Sequence, residues 1–462
     1  MIFFWTDALF FILLLMLAAA IFRARSKEHL SRPWRKVARS TSAMVSLTVL
    51  VFYFGFAILD SIHFHPPEGQ GGEGKFKTEA MSLLDWWASP LRQRSEKTYS
   101  APFASYGYAR ESIRGTGGVS RWAYPRLQFG SAHLADPEKG KFIDILQTGF
   151  AGLLDGFLAW LVFAALLIVA RARSGNITFS QCAYDIAEGR TEVPWRAVLS
   201  TLLLILLTSF GLGELSLTYH VFGTDKVGED VFFQSLKSIR TGLLIGTLTT
   251  FITLPLALTL GILAGYYRGW VDDIIQYIYT TLNSIPGVLL IAASMLLMQA
   301  YMARHEDEFA SLALRADFRL LFLCMILGLT SWTGLCRLLR AETLKLREME
   351  YVQAARALGV HQGTILLRHI MPNVFHLVII SVALDFSSLV LAEAVLSYVN
   401  IGVDPTTESW GNMINSARLE MAREPIVWWS LSAAFVFMFA LVLAANLFAD
   451  AVRDAFDPRR AE

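Results

Sequence analysis

The sequence predicts an all-α, polytopic membrane protein, and three observations carry that prediction. The 462 residues are 54% hydrophobic and only 17% charged, where a soluble chain of this length is nearer about a quarter charged. The mean hydropathy is +0.46. The apolar residues are also gathered into about nine separate runs, each close to the ~20 residues that a helix needs to cross a bilayer. They cover residues 2–22, 44–64, 150–170, 197–217, 242–267, 274–302, 320–335, 375–399 and 428–448.

Taken in order, the first run ends in basic residues instead of following them, and it lacks a small-residue cleavage site. It reads as a retained span with its N-terminus outside, not as a secretory signal. Arg23, Arg25, Lys27, Arg32, Arg35, Lys36 and Arg39 crowd the first loop, which the positive-inside rule places in the cytoplasm. The second run leads to an outside segment, residues 65–141. It opens on a Pro/Gly-rich linker at 66–74 and then carries Trp86, Trp87, Tyr99, Tyr106, Tyr108, Trp122 and Tyr124. A segment of under about 80 residues with no cysteine pair is a marginal domain by itself. It is expected to lie on the membrane or on partner chains, with its aromatics as interfacial anchors, peptide contact being the alternative reading.

Arg171, Arg173, Arg190 and Arg196 place the loop between the third and fourth runs inside, and Arg337, Arg340, Lys345, Arg347, Arg356 and Arg368 do the same for the loop before the eighth. Arg453, Arg459 and Arg460 put the C-terminus in the cytoplasm too. All these assignments agree with an odd number of spans. Asn283, Ser284 and Pro286 interrupt the sixth run, as in a pore-lining helix or a packing kink. Trp428 and Trp429 read as interfacial anchors.

Several function classes are excluded. A net charge of +1 with no basic run interleaved with aromatics argues against nucleic acid. The three cysteines, Cys182, Cys324 and Cys336, make no disulfide framework. No Cys/His cluster has metal-ligand spacing, and His361, His369 and His376 are too scattered for one. No G-x-x-x-x-G-K-[ST] phosphate loop occurs. Nor do the two halves pair as the inverted repeats of a secondary transporter would.

The most informative stretch is the loop at residues 348–373. Glu348, Glu350 and Gln353 open a short helix with favourable dipole chemistry. Ala354, Ala355, Arg356 and Leu358 continue it, and Gly359 suits the left-handed position that ends a helix. The tandem alanines leave room for another protein to approach. Gln362 to His369 predicts a second helix, after which Pro372 restarts the chain into the next span. An amphipathic helix merely resting on lipid would carry a broader apolar face.

Together with its flanks, this stretch resembles the EAA loop of permease subunits in bacterial type I ABC importers. The resemblance rests on Ala354, Ala355, Arg356, Ala357, Leu358 and Gly359, followed by Arg368, His369, Ile370, Met371, Pro372 and Asn373. Gly223, Thr224, Asp225, Gly228 and Asp230 are similar to the Gly-Thr-Asp-x-x-Gly-Arg-Asp-Val signature of the C-type subunit of dipeptide and oligopeptide permeases. Residues 263–272, 285–287, 391–398, 409–413 and 451–459 match the same family in the same order, so the resemblance covers about residues 219–460. Two positions depart from the pattern. Gln353 stands where the loop's leading Glu is usual, and Glu229 stands for the signature's Arg. The first half departs as well, because residues 66–217 read as an inserted outside segment followed by two extra spans.

The resemblance implies four segments. Residues 1–64 hold two spans, 65–146 the insertion, 147–218 two further spans and 219–462 the permease core. It implies a subunit of an ATP-driven importer of peptides or peptide-like solutes in the bacterial inner membrane. A second related permease, two ATPase subunits that bring ATP and magnesium, and a periplasmic solute-binding protein would be its partners. This chain itself would carry no cofactor and catalyse no reaction. Glu350, Gln353, Ala354, Ala355, Arg356, Gly359, Arg368 and Pro372 would form the ATPase-coupling surface.

Asp155, Glu214, Asp385 and Glu393 lie within or near spans, where ionisable groups are costly and often functional. Asp385 and Glu393, about 80° apart on a helix, could face one cavity as a proton relay or substrate contact, while Asn283 and Pro286 could line the pathway separately. They could equally serve packing and interhelical hydrogen bonds. A proton-coupled secondary transporter using these carboxylates is the alternative function.

Overall fold

The computed structural model describes residues 4–25, 28–65, 80–114, 120–175, 177–307, 309 and 311–456. The linker 66–74, Lys27 and residues 457–460 of the C-terminal motif lie outside the described residues. The order begins with α1 (Trp5–Arg25), α2 (Glu28–Arg39) and α3 (Thr41–Ser61). A short ribbon, β1 (His63–Phe64) with β2 (Met81–Ser82), leads to α4 (Leu83–Trp87), α5 (Ser89–Arg92) and the hairpin β3 (Glu111–Arg114)/β4 (Ser120–Ala123). Then follow α6 (Pro137–Gly175), α7 (Phe179–Glu188), α8 (Trp195–Ser216), α9 (Val231–Tyr267), α10 (Trp270–Ser284), α11 (Gly287–Arg304) and α12 (Leu312–Arg347). The loop at residues 348–373 holds α13 (Glu350–Ala357), α14 (Gln362–Ile365) and a π-helical turn (Leu366–Ile370). The chain closes with α15 (Met371–Tyr398), α16 (Trp410–Glu420) and α17 (Trp429–Phe456).

Among the described residues, 8 helices are long and apolar enough to cross a membrane. They account for every expected run except 320–335. That run lies inside α12, bracketed by Arg319 and Arg337. Helix α12 packs against α1, α10, α11, α13 and α15, so much of its surface meets protein and does not need to be apolar. The run at 274–302 is broken where expected: α10 ends at Ser284, and Pro286 is the N-cap of α11.

The chain forms two compact units, each discontinuous in sequence. The first takes residues 38–241 and 408–444. In it α6 and α8 form a tight antiparallel pair because glycines line the contact. A Cβ on Gly152 would stand 2.7 Å from the Phe210 carbonyl oxygen, and one on Gly156 2.8 Å from that of Leu206. Cys182 and Ile186 of α7 close one end of the pair by packing with Ala164, Ala172 and Leu199.

The second unit takes residues 3–37, 242–407 and 445–462. Gly265 of α9 lets α12 approach, since a Cβ there would meet Thr343 Cβ at 2.6 Å. Asp317 of α12 caps α1 from a distance in sequence, accepting the Trp5 N–H at 2.9 Å and the Thr6 hydroxyl. An apolar core joins Leu339 of α12, Val352 and Ala355 of α13, Ile365 of α14, Ile370 of the π turn and Val374 of α15.

Candidate functional site

The loop at residues 348–373 is built on that core. Val352 and Ala355 are buried while Glu350, Gln353, Ala354, Arg356, Leu358 and Gly359 are exposed. Only one of the tandem alanines therefore faces outward. Ala355 is spent on the core, lying three positions on from Val352 and on the same face of the helix. Gly359 has φ +75°, with nothing within 4 Å of where its Cβ would lie. The glycine thus serves the left-handed helix end and leaves open space above it. Leu358 is 83% exposed and Leu367 69%. With Arg356 and Arg368 they make a mixed apolar and basic outer face.

Pro372 does not restart the chain. It occupies the first turn of α15, and α14, the π turn and α15 run on as one helix from Gln362 to Tyr398. A proline inside an α-helix removes one backbone donor and crowds the preceding turn. The wider π turn directly before it relieves that crowding. Asn373 then ties the pieces together, donating to the His369 carbonyl at 2.6 Å and to the Tyr351 hydroxyl at 3.1 Å.

Behind the loop, two ion pairs fix the end of α12. Arg340 grips Asp272 with two parallel bonds of 2.6 and 2.7 Å. Its hydrogen bonding holds the Asp272 carboxyl below the usual range, against the opposing effect of burial. Arg268 lies 3.2 Å from Glu348, and Arg347 donates to the Tyr266 carbonyl at 2.9 Å. Gln353, the position lacking the usual Glu, turns back and donates to the Glu348 carbonyl at 3.1 Å.

The Gly-Thr-Asp signature is a turn locked beneath the inserted segment. Asp225 accepts the Val227 and Glu229 N–H groups, both at 2.9 Å. Asp230 caps α9 through Phe232 N–H at 2.9 Å. Thr224 accepts the Ser100 N–H at 2.7 Å and donates to the Thr98 carbonyl at 2.9 Å. Gly223 and Gly228, at φ +69° and +83°, leave no space for side chains, because Cβ atoms would stand 2.4 Å from the Ser100 carbonyl oxygen and 1.8 Å from that of Glu96. Glu229, in place of Arg, is exposed and accepts from Gln234 at 3.1 Å.

The insertion is also seated on the chain's own signature turn, a contact that the sequence expectation did not include. Glu96 accepts three backbone N–H groups, from Gln128, Phe129 and Gly130, at 2.9, 2.7 and 3.1 Å. The buried His220 ring stands between Asp230 at 2.7 Å and Glu96 at 3.5 Å. Burial opposes charge on both sides of this contact. The carboxylates nevertheless push His220 up to about 9, and the His220 contact with the backbone donors pulls Glu96 down to about 2. Lys237 and Asp85 add an ion pair of 2.8 Å. Glu96, Ser100, Lys237 and His220 were not singled out from the sequence, because no short-range spacing links them.

The two carboxylates of α15 differ in exposure. Glu393 is buried and accepts from Ser397 at 2.7 Å, whereas Asp385, on the same helix, is exposed. Asn283 accepts from Thr333 at 3.1 Å and lies, like Pro286, on an exposed surface.

Residues 257–462 match the family described as binding-protein-dependent transport system inner membrane component. A glutathione transport system permease protein of Pectobacterium atrosepticum is 33% identical over 240 residues, covering 52% of this chain and 73% of the relative. A putative peptide permease protein of Brucella suis is 32% identical over 242 residues, with coverage of 52% and 73%. An oligopeptide transport system permease protein of Mycobacterium tuberculosis is 31% identical over 241 residues, with coverage of 52% and 76%. With its multiple membrane-spanning helices, this chain belongs to the family of binding-protein-dependent inner-membrane transport components.

Proposed function

We propose that this chain is one permease subunit of an ATP-driven importer for peptides or peptide-like solutes, working by alternating access. The observation that carries the reading is the coupling loop. Its inner face is anchored by Val352, Ala355 and Ile365 while Gln353, Ala354, Arg356, Leu358 and Gly359 stay open. A loop held that firmly can receive a push from a docked ATPase and pass it through α13 and the Gln362–Tyr398 helix to the spans. The relatives' printed roles, in glutathione, peptide and oligopeptide transport, support the substrate class.

On this reading the loop and the C-terminus face the cytoplasm, and the N-terminus and the insertion face outward. Two ATPase subunits supply ATP and magnesium, a second permease completes the pathway, and a solute-binding protein delivers cargo from outside. Glu393, satisfied by Ser397, gives little support to the alternative of proton-coupled transport.

Gly359→Arg is the direct test. The space above Gly359 is open, so the protein should insert normally yet fail to co-purify with its ATPases or support uptake. Uptake that persisted without ATPases and collapsed with a protonophore would instead establish the secondary transporter.

A further inference from the structure

Helix α6 carries a carboxylate where hydrocarbon offers nothing to receive it. Asp155 is exposed, and among the described residues no hydrogen bond or ion pair reaches it. Its depth follows from packing. The adjacent Gly156 lies against Leu206 and Leu207 of α8, and α8 runs from Trp195 to Ser216. At about 1.5 Å per residue, Asp155 therefore stands within a few ångströms of the middle of a membrane span. Ionisable groups at that depth face a bundle interior, a wet cavity or a polar partner.

Among the described residues Asp155 has none of these. The face of α6 that carries Gly152 and Gly156 is occupied by α8. Asp155 belongs to a different stripe, with Ala151, Leu158, Val162 and Leu166 at helical spacing, and all five are exposed. A polar side chain on such a face is what transmembrane helices use to hydrogen-bond each other.

We propose that this stripe seats a transmembrane helix of a separate protein chain, one that presents an amide or a cationic side chain to Asp155 at mid-depth. A carboxylate calls for a donor. Lipid tails have none, and a second copy meeting this stripe about a two-fold axis would bring another carboxylate. The proposal is independent of the coupling loop and of the transported solute.

The test uses the full chain in its native membrane, with a photoreactive amino acid at Ala151, or at Leu153 on another face as a control. The expected result is a discrete adduct with one membrane protein from position 151 and not from 153. Asp155→Leu should reduce it by about fivefold or more, the scale of one interhelical hydrogen bond, while Asp155→Asn should retain most of it. Alkaline extraction confirms that each variant remains inserted. The captured protein must carry a donor at mid-span whose replacement by Leu removes the adduct equally. Adducts with lipid alone, with a second copy of this chain, with a protein lacking such a donor, or undiminished by Asp155→Leu would each overturn the proposal.

Discussion

Gly228 lies so close under Glu96 that a Cβ on it would stand 1.8 Å from the Glu96 carbonyl oxygen. The two residues belong to the signature turn and to the insertion, and their backbones are also bonded, Glu96 N–H to the Gly228 carbonyl at 2.8 Å. Gly228→Ala is expected to lift the insertion from the turn at a cost of roughly 2 kcal/mol or more, and positive φ adds strain. Limited proteolysis of the insertion in proteoliposomes would read this. Wild-type protection of the variant would show that the close approach is not needed.

His220 gives the same attachment a pH dependence. Its value is raised from 6.5 to about 9, so its contribution is fully present below about pH 6.5 and is lost as pH climbs through 9. Glu96 is lowered from 4.5 to about 2, so its contribution is present above about pH 4.5 and fades as pH falls through 2. Protection of the insertion should therefore be greatest between these limits. His220→Gln should remove the alkaline decline and lower stability at pH 6 by roughly 2 kcal/mol. An unchanged profile from pH 6 to 10 would refute the assignment.

The fork between Arg340 and Asp272 should resist conservative exchange. Lysine keeps the charge but cannot make two parallel bonds. Arg340→Lys is expected to lose roughly 1–3 kcal/mol and, on the proposed function, to weaken the response of ATP turnover to cargo. A cycle with Asp272→Asn, followed by thermal unfolding in detergent, isolates the pair. Independent, additive losses would mean that the two do not act together.

Asp317 should matter to α1 more than to the other helices. Asp317→Ala leaves the Trp5 N–H and the Thr6 hydroxyl without their acceptor, at an expected cost of about 1 kcal/mol. Asp317→Asn should restore part of it. Faster hydrogen exchange confined to the first turn of α1 would be the signature, and exchange rates equal to wild type would exclude the capping role.

Much of the architecture was legible because bilayer physics leaves few choices: a run of some 20 apolar residues is a helix. The runs failed where protein, not lipid, surrounds the helix. Helix α12 tolerates Arg319, Thr330 and Thr333 because neighbours cover it. The outer half of the coupling loop was readable from Gly359, since only glycine takes that backbone angle freely. That Ala354 faces out and Ala355 in depends on which side the core lies, and that Pro372 is absorbed depends on a π turn with no sequence mark. The seat of the insertion was beyond local reading, since Glu96 and His220 meet across more than a hundred residues of chain.

That separation has a consequence for how the protein is made. Besides the signature turn, the insertion bonds to residues near the start of the last span, Tyr108 to the Ile426 carbonyl at 2.9 Å and Tyr99 to Glu420 at 3.3 Å. The Trp429 indole closes the same corner on the Thr224 carbonyl at 2.9 Å. During synthesis, residues 96–108 are made long before residues 420–429 exist to receive them. The insertion must wait half-satisfied until the final helix enters, which makes its settling a late step and a natural checkpoint for a finished chain.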